Sequence, residues 1–248
     1  MLSPHPDLQR PPGRLSPLSL PVVAPVAGAP VPAVDGVVLV LGAHPDDETV
    51  GAGRLVAHLA ARGRVAAHVA TAGEGCFAGR ETPGVPDVGE LRRSEWRAAV
   101  TALGAETGRC AGLADGSLAR HPDRVRAWAA EVVDAVGPAV LVAPWRLDPH
   151  PDHAAIGSAA ARVARERGLT LWEYPVWAPA WCTPEQVGAS GWRLEARWTD
   201  PSATAARAAA LQCYPSQVHE LVAGWGAVVP ADALAHHAQQ LVCVREAA

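Results

Sequence analysis

From Val37 onward, runs of uniformly apolar residues alternate with stretches in which apolar positions recur every three or four residues. The run VVLVLGA (Val37 to Ala43) has no polar position, the pattern of a strand buried on both faces. A helical stretch bearing Val50, Leu55, Ala57 and Leu59 follows, until ARGR breaks it. VAAHVATAG (Val65 to Gly73) predicts a second strand, and GELRRSEWRAAVTALGA (Gly89 to Ala105) a helix ending at Gly104. Asp123 to Val136 is amphipathic, AVLVAPW (Ala139 to Trp145) is another buried strand, and AAIGSAAARVARERG continues as a helix. LTLWEYPVW (Leu169 to Trp177) is the next expected strand. Beyond Ala178 the pattern is less regular, with WRLEARW as an added strand and a helix through Arg207 to Leu211.

Strand–helix alternation implies an α/β, Rossmann-like fold: a mostly parallel sheet flanked by helices. No G-x-G-x-x-G follows the first strand, so the dinucleotide fingerprint is missing. We expect one domain over residues 35–248. Residues 1–34 hold nine prolines and no periodic apolar face, which predicts an extended, disordered tail. That tail lacks a basic n-region, so no signal peptide is expected, and no apolar run reaches the length of a membrane span.

The net charge of -4 is spread along a chain that has no lysine and no arginine run. Nucleic acid and anionic membrane are therefore poor candidates for the main partner. Five scattered cysteines without a C-x-x-C argue against a disulfide framework or a thiolate zinc site, and fit thiols in a reducing cytoplasm.

The tripeptide H-P-D occurs four times, at His5, His44, His121 and His150. The first lies in the Pro-rich tail, and the third opens a helix with no strand before it, so both read as structural. The copies at His44 and His150 each come after a buried strand and start a helix. That places them at carboxyl ends of parallel strands, where open α/β sheets bind ligands. The first continues as HPDDE and the second as HPDH. Imidazoles and carboxylates gathered there match a catalytic zinc site with three protein ligands and an open position. His44 and Asp47, three apart across a tight turn, suit one ion, and His153 suits the third ligand.

At these residues the sequence resembles the PIG-L/LmbE-like zinc de-N-acetylase family, whose marks are A-H-P-D-D-E after the first strand and H-P-D-H after a later one. The family includes N-acetylglucosaminyl-phosphatidylinositol de-N-acetylase and the deacetylases of mycothiol and bacillithiol synthesis. TAGEG, LRRSEWRAAVTALG, LADGSL and AAALQCYPSQ resemble lesser family segments, so the likeness runs from about Val37 to Gln217. It implies one Zn²⁺ held by His44, Asp47 and His153, with Asp46 as general base. It also implies His150 as acid or oxyanion-stabilising group, oriented by Asp152 in imidazolium form, and Arg92 and Asp115 contacting the sugar. The implied reaction is hydrolytic removal of an N-acetyl group from an N-acetylglucosamine-type glycoside, a metal-bound water attacking the amide. Where the mycothiol-type enzyme has Tyr two residues before its H-P-D-H, this chain has Asp148, which argues against the mycothiol precursor as substrate. Arg207 stands where a Lys is common.

Two rival functions stand beside this one: a zinc amidase acting on a larger acyl group or a thiol conjugate, and a non-catalytic relative that binds a sugar or a partner. The cluster Trp172, Tyr174, Trp177 and Trp181 has two readings, a sugar-stacking wall or ordinary core. Cys76 and Arg80, after the second strand, sit either along the cleft or in a loop without a chemical role.

Overall fold

The computed structural model describes residues 29–77, 80, 82 and 84–245. Among the described residues one eight-stranded sheet forms the spine: β1 Ala29–Pro30, β2 Val38–Gly42, β3 Val65–Val69, β4 Glu106–Cys110, β5 Val140–Pro144, β6 Thr170–Tyr174, β7 Trp192–Trp198 and β8 Gln240–Arg245. Their spatial order is β1-β7-β8-β6-β5-β2-β3-β4. Neighbours run parallel except at β8, which is antiparallel to both β6 and β7. This is the α/β sheet that the alternation implied.

β2 lies centrally, and every residue of it is buried. Alternate side chains point to opposite faces of a strand. Val38 and Val40 accordingly enter one core, with α1 (Asp47–Ala60), α2 (Val88–Ala102) and α7 (Pro201–Leu211). Leu39 and Leu41 enter the other, with α3 (Pro122–Val136) and α4 (Pro151–Arg167). The remaining helices are short: α5 Ala178–Trp181, α6 Pro184–Ala189, α8 Pro215–Val218 and α9 Ala231–Ala235.

The second strand ends at Val69 and the fourth expected one at Tyr174, each shorter than its apolar run. Residues 70–73 and 175–177 leave the sheet at its carboxyl edge and border the cluster described below. Of the Pro-rich stretch, residues 1–28 lie outside the described residues, as does His5. Ala29–Pro30 pairs with β7, and Val31 is buried.

Candidate metal centre

His44 follows β2 directly, and His150 lies in the short loop between β5 and α4. β2 and β5 are neighbours in register, Val38 to Val140 through Val40 to Val142. The two H-P-D words therefore arrive side by side at one end of the sheet. α1 begins at Asp47, and the residue before it, Asp46, has φ 128°, a region that side-chain-bearing residues rarely adopt.

Asp47 turns one oxygen back into the turn, where Oδ2 accepts from the N–H groups of Ala43 (2.7 Å) and His44 (3.1 Å). Its other oxygen faces outward. Oδ1 lies 3.1 Å from His153 Nε2 and 3.6 Å from His44 Nδ1, and those two nitrogens are 3.1 Å apart. Zinc bonds of about 2.0–2.2 Å in tetrahedral geometry place ligand atoms about 3.4 Å from one another. The triangle fits that ion, and its two imidazoles and one carboxylate are donors that zinc accepts.

Two other sets of donor atoms lie within 4.8 Å: His44, His150 and His153, and His44, Asp115 and Asp152. Among these carboxylates, Asp47 Oδ1 takes no N–H from the chain. Both oxygens of Asp152 do, from Leu118 at 3.0 Å and Gly116 at 2.8 Å. The ring proton of His44 is then placed by its far nitrogen, Nε2, which faces Asp115 (3.0 Å) and Asp152 (3.5 Å). Five carboxylates, Asp46, Asp47, Asp115, Asp148 and Asp152, crowd this region against the guanidinium of Arg92 and the imidazoles of His44 and His153, an acidic excess that a divalent cation would offset.

Among protein groups alone the acid–base properties split sharply. Burial opposes the charge of Asp47, yet His153 and His44 hold its carboxyl well below the usual range. Burial pushes Asp46 up to about 6, resisted by Arg92. His153 is opposed by burial but carried to about 9 by Asp47 and Asp148. His150 falls to about 3 through burial and the neighbouring His153 and His44. Its ring stacks on His153 with centroids 4.4 Å apart.

The structure gives two of the expected site residues other partners. Asp152 does not orient His150 through its carboxylate, which is spent on His44 and the 116–118 turn. Instead the Asp152 N–H donates to His150 Nδ1 (3.3 Å), a bond that caps α4 and favours the neutral ring with its proton on Nε2. Arg92 does not reach outward toward a sugar. Its guanidinium is buried and donates to the carbonyls of Gly73 (3.0 Å) and Pro45 (2.6 Å) and to Asp46 Oδ2 (3.0 Å). It clamps the unusual backbone at Asp46. Gly73 makes room for it, because a Cβ there would lie 2.0 Å from Arg92 Nη1. Asp115 keeps its place at the cluster, with Oδ2 accepting from the Gly75 N–H at 2.8 Å.

Tyr174 is core, its hydroxyl donating to the Leu41 carbonyl, and Trp172 packs on the same core. Trp177 and Trp181 stack on each other, 4.6 Å apart and half-buried. Cys76 is half-buried with Gln217 Nε2 3.9 Å from its sulfur, and Arg80 lies over the Trp225 ring at 4.7 Å. Arg207 donates to the carbonyls of Thr49 and Val50 and so braces the first turn of α1. Sequence reasoning gave no role to Glu48, which turns away from the triangle to accept from Tyr214, burial pushing its carboxyl up to about 7. Asp148 was noted only for what it replaces. Its position as an acid shortly before a strand-end H-P-D-H was the available signal.

Solved structures with this fold include A40926 pseudoaglycone deacetylase, 22% identical with a TM-score of 0.63, covering 85% of this chain and 98% of that one. N,N'-diacetylchitobiose deacetylase from Pyrococcus horikoshii is 18% identical with a TM-score of 0.53, covering 73% and 70%. The 4-carboxy-2-hydroxymuconate hydratase of Pseudomonas putida also matches, 21% identical with a TM-score of 0.55 over 74% and 80%, so the fold alone does not fix the reaction. No curated protein gives a significant sequence match. The family profile described as PIG-L, GlcNAc-PI de-N-acetylase, matches residues 39–164, just over half the chain, and includes both strand-end H-P-D words. The chain belongs to the PIG-L family of de-N-acetylases.

Proposed function

We propose that the chain hydrolyses the acetamide of an N-acetylglucosamine-type glycoside, with Zn²⁺ held by His44, Asp47 and His153. The observation that carries this reading is the triangle of their donor atoms, with edges of 3.1, 3.1 and 3.6 Å, beside a carboxylate that is not part of it. A zinc ion there supplies polarisation of the amide carbonyl and lowers the pKa of water to about 7.

The remaining chemistry belongs to the side chains. Asp46, held by Arg92, takes the proton of the attacking water; its upward shift to about 6 brings it toward neutral pH, where a general base works best. The same carboxyl then returns the proton to the departing amine. His150, neutral and with its proton on Nε2, donates a hydrogen bond to the oxygen that becomes negative. Asp115, whose carboxylate faces His44 and the Gly75 N–H, would accept from a sugar hydroxyl at the edge of the cluster.

The test is acetate release from a panel of N-acetylglucosaminides, with and without zinc. Asp46→Ala is expected to retain zinc and lose about 10²–10⁴ in rate. Loss of zinc from that variant would overturn the base assignment. A zinc-loaded wild type that releases acetate from no member would favour a larger acyl group or a binding role.

A further inference from the structure

Asp148 is fully buried in the loop between β5 and α4, and the nearby Arg146 is paired with Glu173 instead. Its charge is met by nitrogen donors, divided between its two oxygens. Oδ1 serves the metal side: it lies 3.1 Å from His153 Nδ1 and accepts from the His150 N–H at 3.2 Å. Oδ2 accepts from three consecutive N–H groups, those of Val176 (2.9 Å), Trp177 (3.0 Å) and Ala178 (3.3 Å). Those amides begin the segment that leaves β6 and carries the stacked Trp177 and Trp181.

We propose that Asp148 is a positioning residue that couples cation binding at His153 to the placement of the Trp177–Trp181 segment. The proposal rests on the reading of His153 as a ligand. Holding the ring proton on Nδ1 leaves the Nε2 lone pair facing Asp47 and His44. A cation drawing on that lone pair makes Nδ1–H a stronger donor and pulls on Oδ1. The carboxylate is rigid, so Oδ2 and the three amides on it respond together. Coupling of this kind is reciprocal: whatever orders the tryptophan segment also tightens cation binding.

Hydrogen exchange of the full chain, read by mass spectrometry with and without zinc, tests this alongside zinc titration by competition. Zinc is expected to slow exchange of the 176–178 amides in the wild type by roughly fivefold or more. Asp148→Asn should weaken zinc binding about 10- to 100-fold and abolish the slowing. Trp181→Ala, which removes the stacking partner of Trp177, should weaken zinc binding by about fivefold. A merely structural carboxylate would lower stability and leave these zinc dependences intact. Unchanged 176–178 exchange on zinc addition to the wild type overturns the proposal, as does Asp148→Asn with wild-type zinc affinity. Should Asp148→Asn fail to fold, the wild-type exchange and the Trp181→Ala titration still decide. His153→Ala with undiminished zinc affinity would instead sink the ligand reading beneath it.

Discussion

The words at His121 and His150 begin helices in the same way. Each puts histidine at the N-cap, proline at the first helical position and aspartate in the first turn. Around His121 all three residues are exposed, and the word does only what its local chemistry requires. Around His150 the aspartate is buried, the cap histidine stacks on His153, and that same first turn supplies His153 to the triangle. The difference lies in what precedes each helix. α4 follows a central parallel strand, whereas α3 follows a turn, Leu118–Arg120, on the flank. A tripeptide specifies a helix start; the sheet decides whether that start has chemistry in front of it.

The comparison can be broken experimentally. The largest expected effect is from His153→Ala, which should reduce both bound zinc and acetate release to background, measured by metal analysis and product assay. A variant that keeps stoichiometric zinc removes the third ligand from the argument. Next, His150→Ala should cost about 10²–10³ in kcat, the loss of one oxyanion donor, while His121→Ala leaves kcat within about twofold. Equal losses in a folded pair would erase the distinction. More modestly, Asp152→Asn should weaken zinc binding about 10- to 100-fold by loosening His44. Asp123→Asn, on an exposed first turn, should change only stability, by about 0.3–1 kcal/mol in denaturant melts.

Much of this was visible in the chain itself. β2, β3, β5 and β6 announce themselves as apolar runs, and both strand-end words follow from their positions. β4 does not, because ETGRC is a polar edge strand that lies against charged neighbours such as Arg64, paired with Glu106. β8 escapes because its antiparallel place in the sheet depends on partners 40 or more residues away, not on local pattern. Within the site, the residue types and their spacing pointed to the triangle. The direction in which a side chain spends its hydrogen bonds is not written in spacing. Arg92 and Asp152 both face inward because a buried guanidinium and a buried carboxylate must each be satisfied where they lie.

β8 also bears on how the chain reaches this state. It lies later in the chain than every other strand, yet it sits inside the sheet, between β6 and β7. Its Gln240 side chain ties back to α1, accepting from the Leu55 N–H and donating to the Gly51 carbonyl. Until residues 240–245 are made, β7 has no route into the sheet and one side of β6 stays open. Long-range pairing of this kind is slow to form. Until residues 240–245 dock, the β6 edge presents unpaired N–H and C=O groups, the kind of edge on which other chains can pair.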